Sequence, residues 1–197
     1  RQTPELSPLR LLYFGTLAGW QGVGLALEAL GLYSRDFEAM LTVVAPGRPA
    51  QVESLQKQAA RLGISDRLTI LAPLSQADLV TQMHQADAIV APLTPNDRNL
   101  VQGCCPLKVL EGMASGTPVI ASDLPVVQAL ATNGIEALLV APGSAKAIKD
   151  ALVQLRIDSK LRFVLSGAAR QRVEAQYTWE QAGRSLVQAY ETLGLPG

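Results

Sequence analysis

The chain has 197 residues, 48% hydrophobic and 17% charged, with 17 basic side chains balanced by 17 acidic ones. That composition excludes a disordered polypeptide, and the length suits one domain or one half of a two-domain protein. Zero net charge leaves no footprint for nucleic acid, and no apolar run is long enough to span a membrane. Arg1–Pro8 carries two prolines and reads as a linker, so the chain is expected to be a fragment that begins in connecting polypeptide. The domain proper is expected over 9–197.

From there short apolar runs alternate with helical patterns. Strands are expected at Leu9–Gly15, Ala39–Ala45, Leu68–Leu71, Ala86–Pro92, Thr117–Ser122 and Glu136–Ala141. Several are apolar on both faces, as buried parallel strands are. Helices are expected at Val23–Leu32, Gln51–Leu62, Ser75–Gln85, Pro106–Ser115, Val126–Ala131 and Ala145–Arg156. Repeated strand-then-helix order implies an α/β, Rossmann-like three-layer sandwich, with a parallel sheet of about six strands and right-handed crossovers. Two consecutive helices, Ser159–Gln176 and Thr178–Leu193, close the chain. Thr178 and Gln181 make a capping box, and Tyr177 and Trp179 beside it are expected to anchor the last helix. Ligands of such sheets bind outside the carboxyl ends of the strands.

Cys104 and Cys105 are the only cysteines, and they are adjacent. Neighbouring cysteines rarely form a structural disulfide, so a reducing cytoplasm is the natural setting. With one histidine, His84, a zinc site is not expected. His84 falls on a polar helix face and reads as solvated.

The run from Cys104 to Ile120 carries the most chemistry. Pro106 suits the first helical position, which leaves the N–H groups of Leu107, Lys108 and Val109 without intrahelical partners. They sit at the positive end of the helix dipole, where an anion is favoured and the cation Lys108 is not. A bound anion removes that conflict. Glu111 lies one turn on, on the same face; it either pairs with Lys108, in the poorer orientation for such a pair, or faces ligand hydroxyls. N–H groups and an ammonium for phosphates, with a carboxylate for hydroxyls, suit a nucleoside diphosphate sugar. Gly15, Gly19 and Gly22 mark a second loop: either a strand-ending turn or a close backbone approach to ligand. Neither a dinucleotide fingerprint nor a lysine-bearing phosphate loop is present. Trp20 reads equally as an acceptor contact or as packing. Pro73 and Leu74 follow the third strand, where backbone groups suit a base edge.

These stretches resemble, in order over roughly Leu9 to Leu193, the C-terminal donor-binding domain of the retaining glycosyltransferases of family 4 (group 1), which have the GT-B fold. The resemblance rests on Tyr13-Phe14-Gly15-Thr16-Leu17, Trp20-Gln21-Gly22-Val23, Val43–Gly47, Leu62–Leu68, Ala86–Pro92, Leu110–Val119 and Tyr177-Thr178-Trp179. It implies that Glu111 holds the ribose hydroxyls and that the backbone of Gly103, Cys104 and Cys105 contacts the hexose. The alternative for those three is a tight turn with small buried cysteines. Three charged groups of the family pattern are missing: Gly103 stands where a first glutamate is common, and Thr16 and Gln21 stand where an arginine and a lysine often bind the diphosphate. Lys108 then becomes the candidate catalytic group, with Arg98 a second phosphate cation.

The resemblance further implies transfer of a hexose from a UDP-sugar, with UDP-glucose favoured, to an acceptor hydroxyl in glycan or polysaccharide synthesis. No metal or other cofactor is expected. The acceptor, a glycan or lipid-linked sugar, would be met by a missing N-terminal domain, which could also bring the protein to the inner face of the membrane. The domain alone is expected to bind donor but transfer nothing. The alternatives are half of a sugar-nucleotide 2-epimerase, or a non-catalytic nucleotide-binding or assembly module.

Overall fold

The structure is a computed structural model and describes residues 8–194. The expected linker lies outside those residues except for Pro8. Six strands form one parallel sheet: β1 (Leu9–Phe14), β2 (Ala39–Val44), β3 (Leu68–Leu71), β4 (Ala88–Ala91), β5 (Val119–Ser122) and β6 (Leu138–Val140), in the order β3-β2-β1-β4-β5-β6. The chain winds outward from β1 to β3, then returns to β4 beside β1 and winds outward the other way. The order therefore reverses between β1 and β4, and a crevice opens beyond their carboxyl ends.

Alternation along β1 shows how the layers are made. Leu9, Leu11 and Tyr13 enter one apolar cluster, and Leu12 and Phe14 enter the other. The first face is covered by α1 (Val23–Tyr33), α2 (Pro49–Leu62) and α6 (Ala145–Ile157). The second is covered by α3 (Gln76–Gln85), α4 (Leu107–Ser115) and α5 (Pro125–Gln128). The helix α7 (Ser159–Gln176) joins both clusters, through Leu165 and Ala169. Gly112 sets the depth of α4: a Cβ there would stand 2.9 Å from Val119 Cγ2, so the helix lies close on β5.

The last helix, α8 (Trp179–Thr192), buries no residue. Half of the expected capping box forms, with Thr178 Oγ1 accepting from the Gln181 N–H at 3.2 Å, while the Gln181 side chain donates instead to the Ala175 carbonyl at 3.2 Å. Tyr177 anchors the entry: its hydroxyl donates to the Ala129 carbonyl at 2.9 Å. Trp179 does not, contrary to expectation. It is 92% exposed, because α8 has no neighbouring layer against which to bury it. No helix of the described residues is long and apolar enough to cross a membrane.

Candidate functional site

A cleft of about 270 Å³ occupies the crevice between β1 and β4. Its walls come from the end of β1 (Phe14, Gly15, Thr16), the single turn Gly19–Gln21, the exit of β4 at Leu93, and the start of α4. Both cysteines, Arg98 and Pro106 also line it.

Lys108 reaches this cleft from the first turn of α4 and is only 7% exposed. Its Nζ stands 4.1 Å from the centre of the Tyr13 ring and has no hydrogen-bond partner. The expected alternative, a pair with Glu111, is therefore not formed. Burial pushes the ammonium down to about 7. The ring face beneath favours the charged form, by up to about 2 kcal/mol in a desolvated site. A buried cation with no partner calls for an anion.

Two glycines shape the approach. Gly15 has φ +123°, and a Cβ on it would come within 3.3 Å of Lys108 Nζ; its missing side chain is the space the ammonium uses. Tyr13 holds this turn as well, its hydroxyl donating to the Thr16 carbonyl at 2.7 Å. Gly22 has φ +71°, and a Cβ would sit 1.8 Å from the Pro92 carbonyl oxygen. Its close backbone approach is to Pro92, and it packs the turn onto the end of β4.

The start of α4 differs from the sequence expectation. Pro106 caps the helix with φ −76° and ψ 83°, and the first helical residue is Leu107. That ψ turns the chain so that the Leu107 N–H donates to the Cys105 carbonyl at 2.9 Å, and the Val109 N–H donates to the Pro106 carbonyl at 2.8 Å. Two of the three N–H groups expected to be free are thus engaged. Lys108 alone keeps its N–H without a backbone acceptor among the described residues. The unengaged groups at this helix end are the Lys108 N–H and, within the described residues, its ammonium.

Ten of the expected residues meet in the cleft: Gly15, Thr16, Gln21, Arg98, Cys104, Cys105, Pro106, Leu107, Lys108 and Glu111. Gly22, Pro73, Leu74, Gly103 and Val109 do not line it. Pro73 is exposed after β3, Leu74 packs against the second apolar cluster, and Val109 is buried beneath α4. Glu111 is half-buried, and desolvation raises its carboxyl above the usual range. Gln21 Oε1 is a buried acceptor with no partner. Both cysteines are free: Cys105 is exposed, with its thiol pushed up by burial of its surroundings and by Cys104. His84 is exposed on α3, as expected. Sequence reasoning passed over Tyr13, whose ring lies under the Lys108 ammonium, although an aromatic one step before the Phe14-Gly15 strand end was the available signal. Among the described residues no cluster of histidine, cysteine or acidic side chains is arranged to hold a metal.

Residues 8–158 match the family described as "Glycosyl transferases group 1". A D-inositol 3-phosphate glycosyltransferase of Corynebacterium urealyticum is 30% identical over 187 residues, covering 92% of this chain but 42% of that relative. The chain thus spans less than half the length of that curated relative. Among solved structures, the C-terminal domain of a Francisella tularensis glycosyl transferase group 1 family protein superposes with a TM-score of 0.73 at 20% identity, over 88% of this chain and 89% of that one. Anabaena HepE, solved in complex with UDP-glucose, superposes with a TM-score of 0.81 at 17% identity, over 94% of this chain and 49% of that one. Fold and family match agree: the chain belongs to the group 1 glycosyltransferases and has the Rossmann-like architecture of one domain of a GT-B fold.

Proposed function

We propose that this cleft binds the nucleoside diphosphate of a sugar donor, and that the chain is the donor-binding half of a retaining, metal-independent hexosyltransferase. The observation that carries this reading is the buried, unpartnered Lys108 ammonium at the sheet's switch point. As the glycosidic bond lengthens, negative charge grows on the leaving diphosphate. A cation fixed beforehand in a water-poor site stabilises that charge most in the transition state. Glu111, half-buried one turn along α4, is the acceptor for the ribose hydroxyls. The backbone beside Cys104 and Cys105 faces the hexose.

UDP-glucose is the first donor to test, since Anabaena HepE was solved with it on a similar fold. The acceptor hydroxyl of a glycan or lipid-linked sugar would be met by a second domain, whose closure orients it and excludes water. Synthesis of a polysaccharide at the cytoplasmic face of the membrane fits this reading. A second reading, a nucleotide-binding module without transfer, is favoured by the uncharged Thr16 and Gln21 in the cleft wall.

Calorimetric titration with UDP, UDP-glucose, GDP-mannose and uridine tests the proposal. UDP-glucose and UDP are expected to bind at micromolar to millimolar levels and uridine far more weakly. Equal affinity for UDP and uridine would remove the phosphate site. Turnover by this chain alone would overturn the assignment of acceptor binding to a separate domain.

A further inference from the structure

Three stretches distant in sequence wall the cleft: the turn Gly19–Gln21, the exit of β4 and the approach to α4. One buried side chain threads them together. Asn99 is 0% exposed and lies in the single π-turn Arg98–Gln102. Its Nδ2 donates to the Thr94 carbonyl at 2.7 Å, and its Oδ1 accepts from the Cys104 thiol at 3.4 Å. Thr94 continues the thread: its N–H and its hydroxyl both donate to the Trp20 carbonyl, at 3.0 and 3.4 Å. The Asn99 N–H is itself held by Asn96 Oδ1 at 3.0 Å.

A buried carboxamide is costly unless both ends are paired. Here both ends are spent on the walls of the cleft, although Asn99 does not line it. Its neighbour Arg98 does, with its guanidinium 4.8 Å from the centre of the Trp20 ring. Arg98 is exposed, so ordering its long side chain on ligand binding costs rotamer entropy unless it is already held. The backbone ahead of Arg98 and the backbone under Trp20 are the parts that the Asn99–Thr94 thread joins.

We propose that Asn99 is the positioning residue of the phosphate site: it locks the 94–104 loop to the Trp20 turn, and so presents Arg98 as a second cation in the cleft that holds Lys108. This rests on the nucleotide-binding reading above. The short carboxamide serves both bonds, because one end donates to a carbonyl and the other accepts from a thiol. An aspartate could not donate, and a leucine could do neither.

The test uses the full chain with Trp179→Phe as background. Trp179 lies on the exposed face of α8, and its removal leaves Trp20 as the only tryptophan of the two. Trp20 emission then reports the Arg98 stack. UDP and uridine are titrated into the background, Asn99→Ala, Arg98→Ala and the double variant. Each single change is expected to weaken UDP about five- to twentyfold and to leave uridine within about twofold. The double variant is expected to bind UDP no more weakly than Arg98→Ala alone, since Asn99 acts through Arg98. Trp20 emission of Asn99→Ala is expected to match that of Arg98→Ala. Additive losses in the double variant, or unchanged UDP affinity in a folded Asn99→Ala protein, overturn the assignment. Should Asn99→Ala not fold, Asn99→Leu fills the same space with neither bond to the Thr94 carbonyl nor to the Cys104 thiol, and is held to the same two outcomes. A background that binds no UDP overturns the nucleotide reading and this assignment with it. A background that binds UDP while Asn99→Ala is unaffected overturns this assignment alone.

Discussion

The Lys108 ammonium rests 4.1 Å above the Tyr13 ring, in space left by the missing side chain of Gly15. A helix and a strand end thereby hold one ammonium at the floor of the cleft, with no anion paired to it among the described residues. The functional account follows from that arrangement.

Lys108→Ala removes the charge and leaves the cleft open. UDP affinity is expected to fall about tenfold to a hundredfold, the usual worth of a charge-assisted phosphate contact. Uridine affinity should change less than twofold on the order-of-magnitude view that it makes no phosphate contact. Calorimetry on both ligands checks this, and equal losses for the two count against the phosphate role.

The pH dependence has a definite sign. Free Lys108 is charged below about pH 7 and neutral above it, because burial lowers it to about 7. A bound diphosphate raises it again. Binding above pH 7 must therefore take up a proton, and UDP affinity should weaken as pH rises from about 7, with Lys108→Met as the control for the nucleotide's own ionisations. Calorimetry in buffers of different ionisation enthalpy should detect the uptake. Lys108→Met is expected to flatten the profile.

The same burial costs stability. Unfolded Lys108 titrates near its ordinary 10.5, and folded Lys108 near 7. Between those values the unfolded chain binds more protons, so this group makes folding more favourable as pH rises through the window and is most costly below pH 7. Lys108→Met should raise stability at pH 6, with a gain on the order of a few kcal/mol, and the gain should vanish above about pH 10.5. Urea unfolding at both pH values measures it.

Gly22 and Gly19 make an internal contrast in one turn. Gly22→Ala meets the Pro92 carbonyl oxygen and keeps φ at +71°. It should cost roughly 2–5 kcal/mol from overpacking and backbone strain together. Gly19→Ala meets nothing within 4 Å, and should stay within about 0.5 kcal/mol of the parent. Thermal unfolding of the two variants side by side measures how much the close packing of Gly22 on Pro92 matters.

Much of this architecture is legible in the sequence because apolar runs mark buried strands directly. Leu68–Leu71 has the bounds that its apolar run suggests. Ends misread where a polar side chain leaves the ladder for another partner. Asp87 was expected inside the fourth strand; its N–H still donates to the Arg10 carbonyl of β1, but its carboxylate, not a backbone carbonyl, takes the Arg10 N–H. Glu136 was expected to open the sixth strand, but it is buried ahead of it, accepting from the Thr132 N–H and from Arg172. The fifth strand loses Thr117, whose hydroxyl donates to the Met83 carbonyl.

In the candidate site, residue types near Pro106 pointed to an anion but not to the geometry around it. The burial of Lys108 depends on Tyr13 and Gly15, remote in sequence, and no local pattern announces it. The loss of the Leu107 and Val109 N–H groups depends on the ψ of Pro106, which residue identity does not fix. The Asn99 thread joins three loops, and only the folded backbone brings them together.

A crystal of this chain grown with UDP measures the central claim most directly. The account predicts a phosphate oxygen within hydrogen-bonding distance of Lys108 Nζ, with the ribose against Glu111. UDP bound at another edge of the sheet, with the Lys108 ammonium still unpartnered, would contradict it.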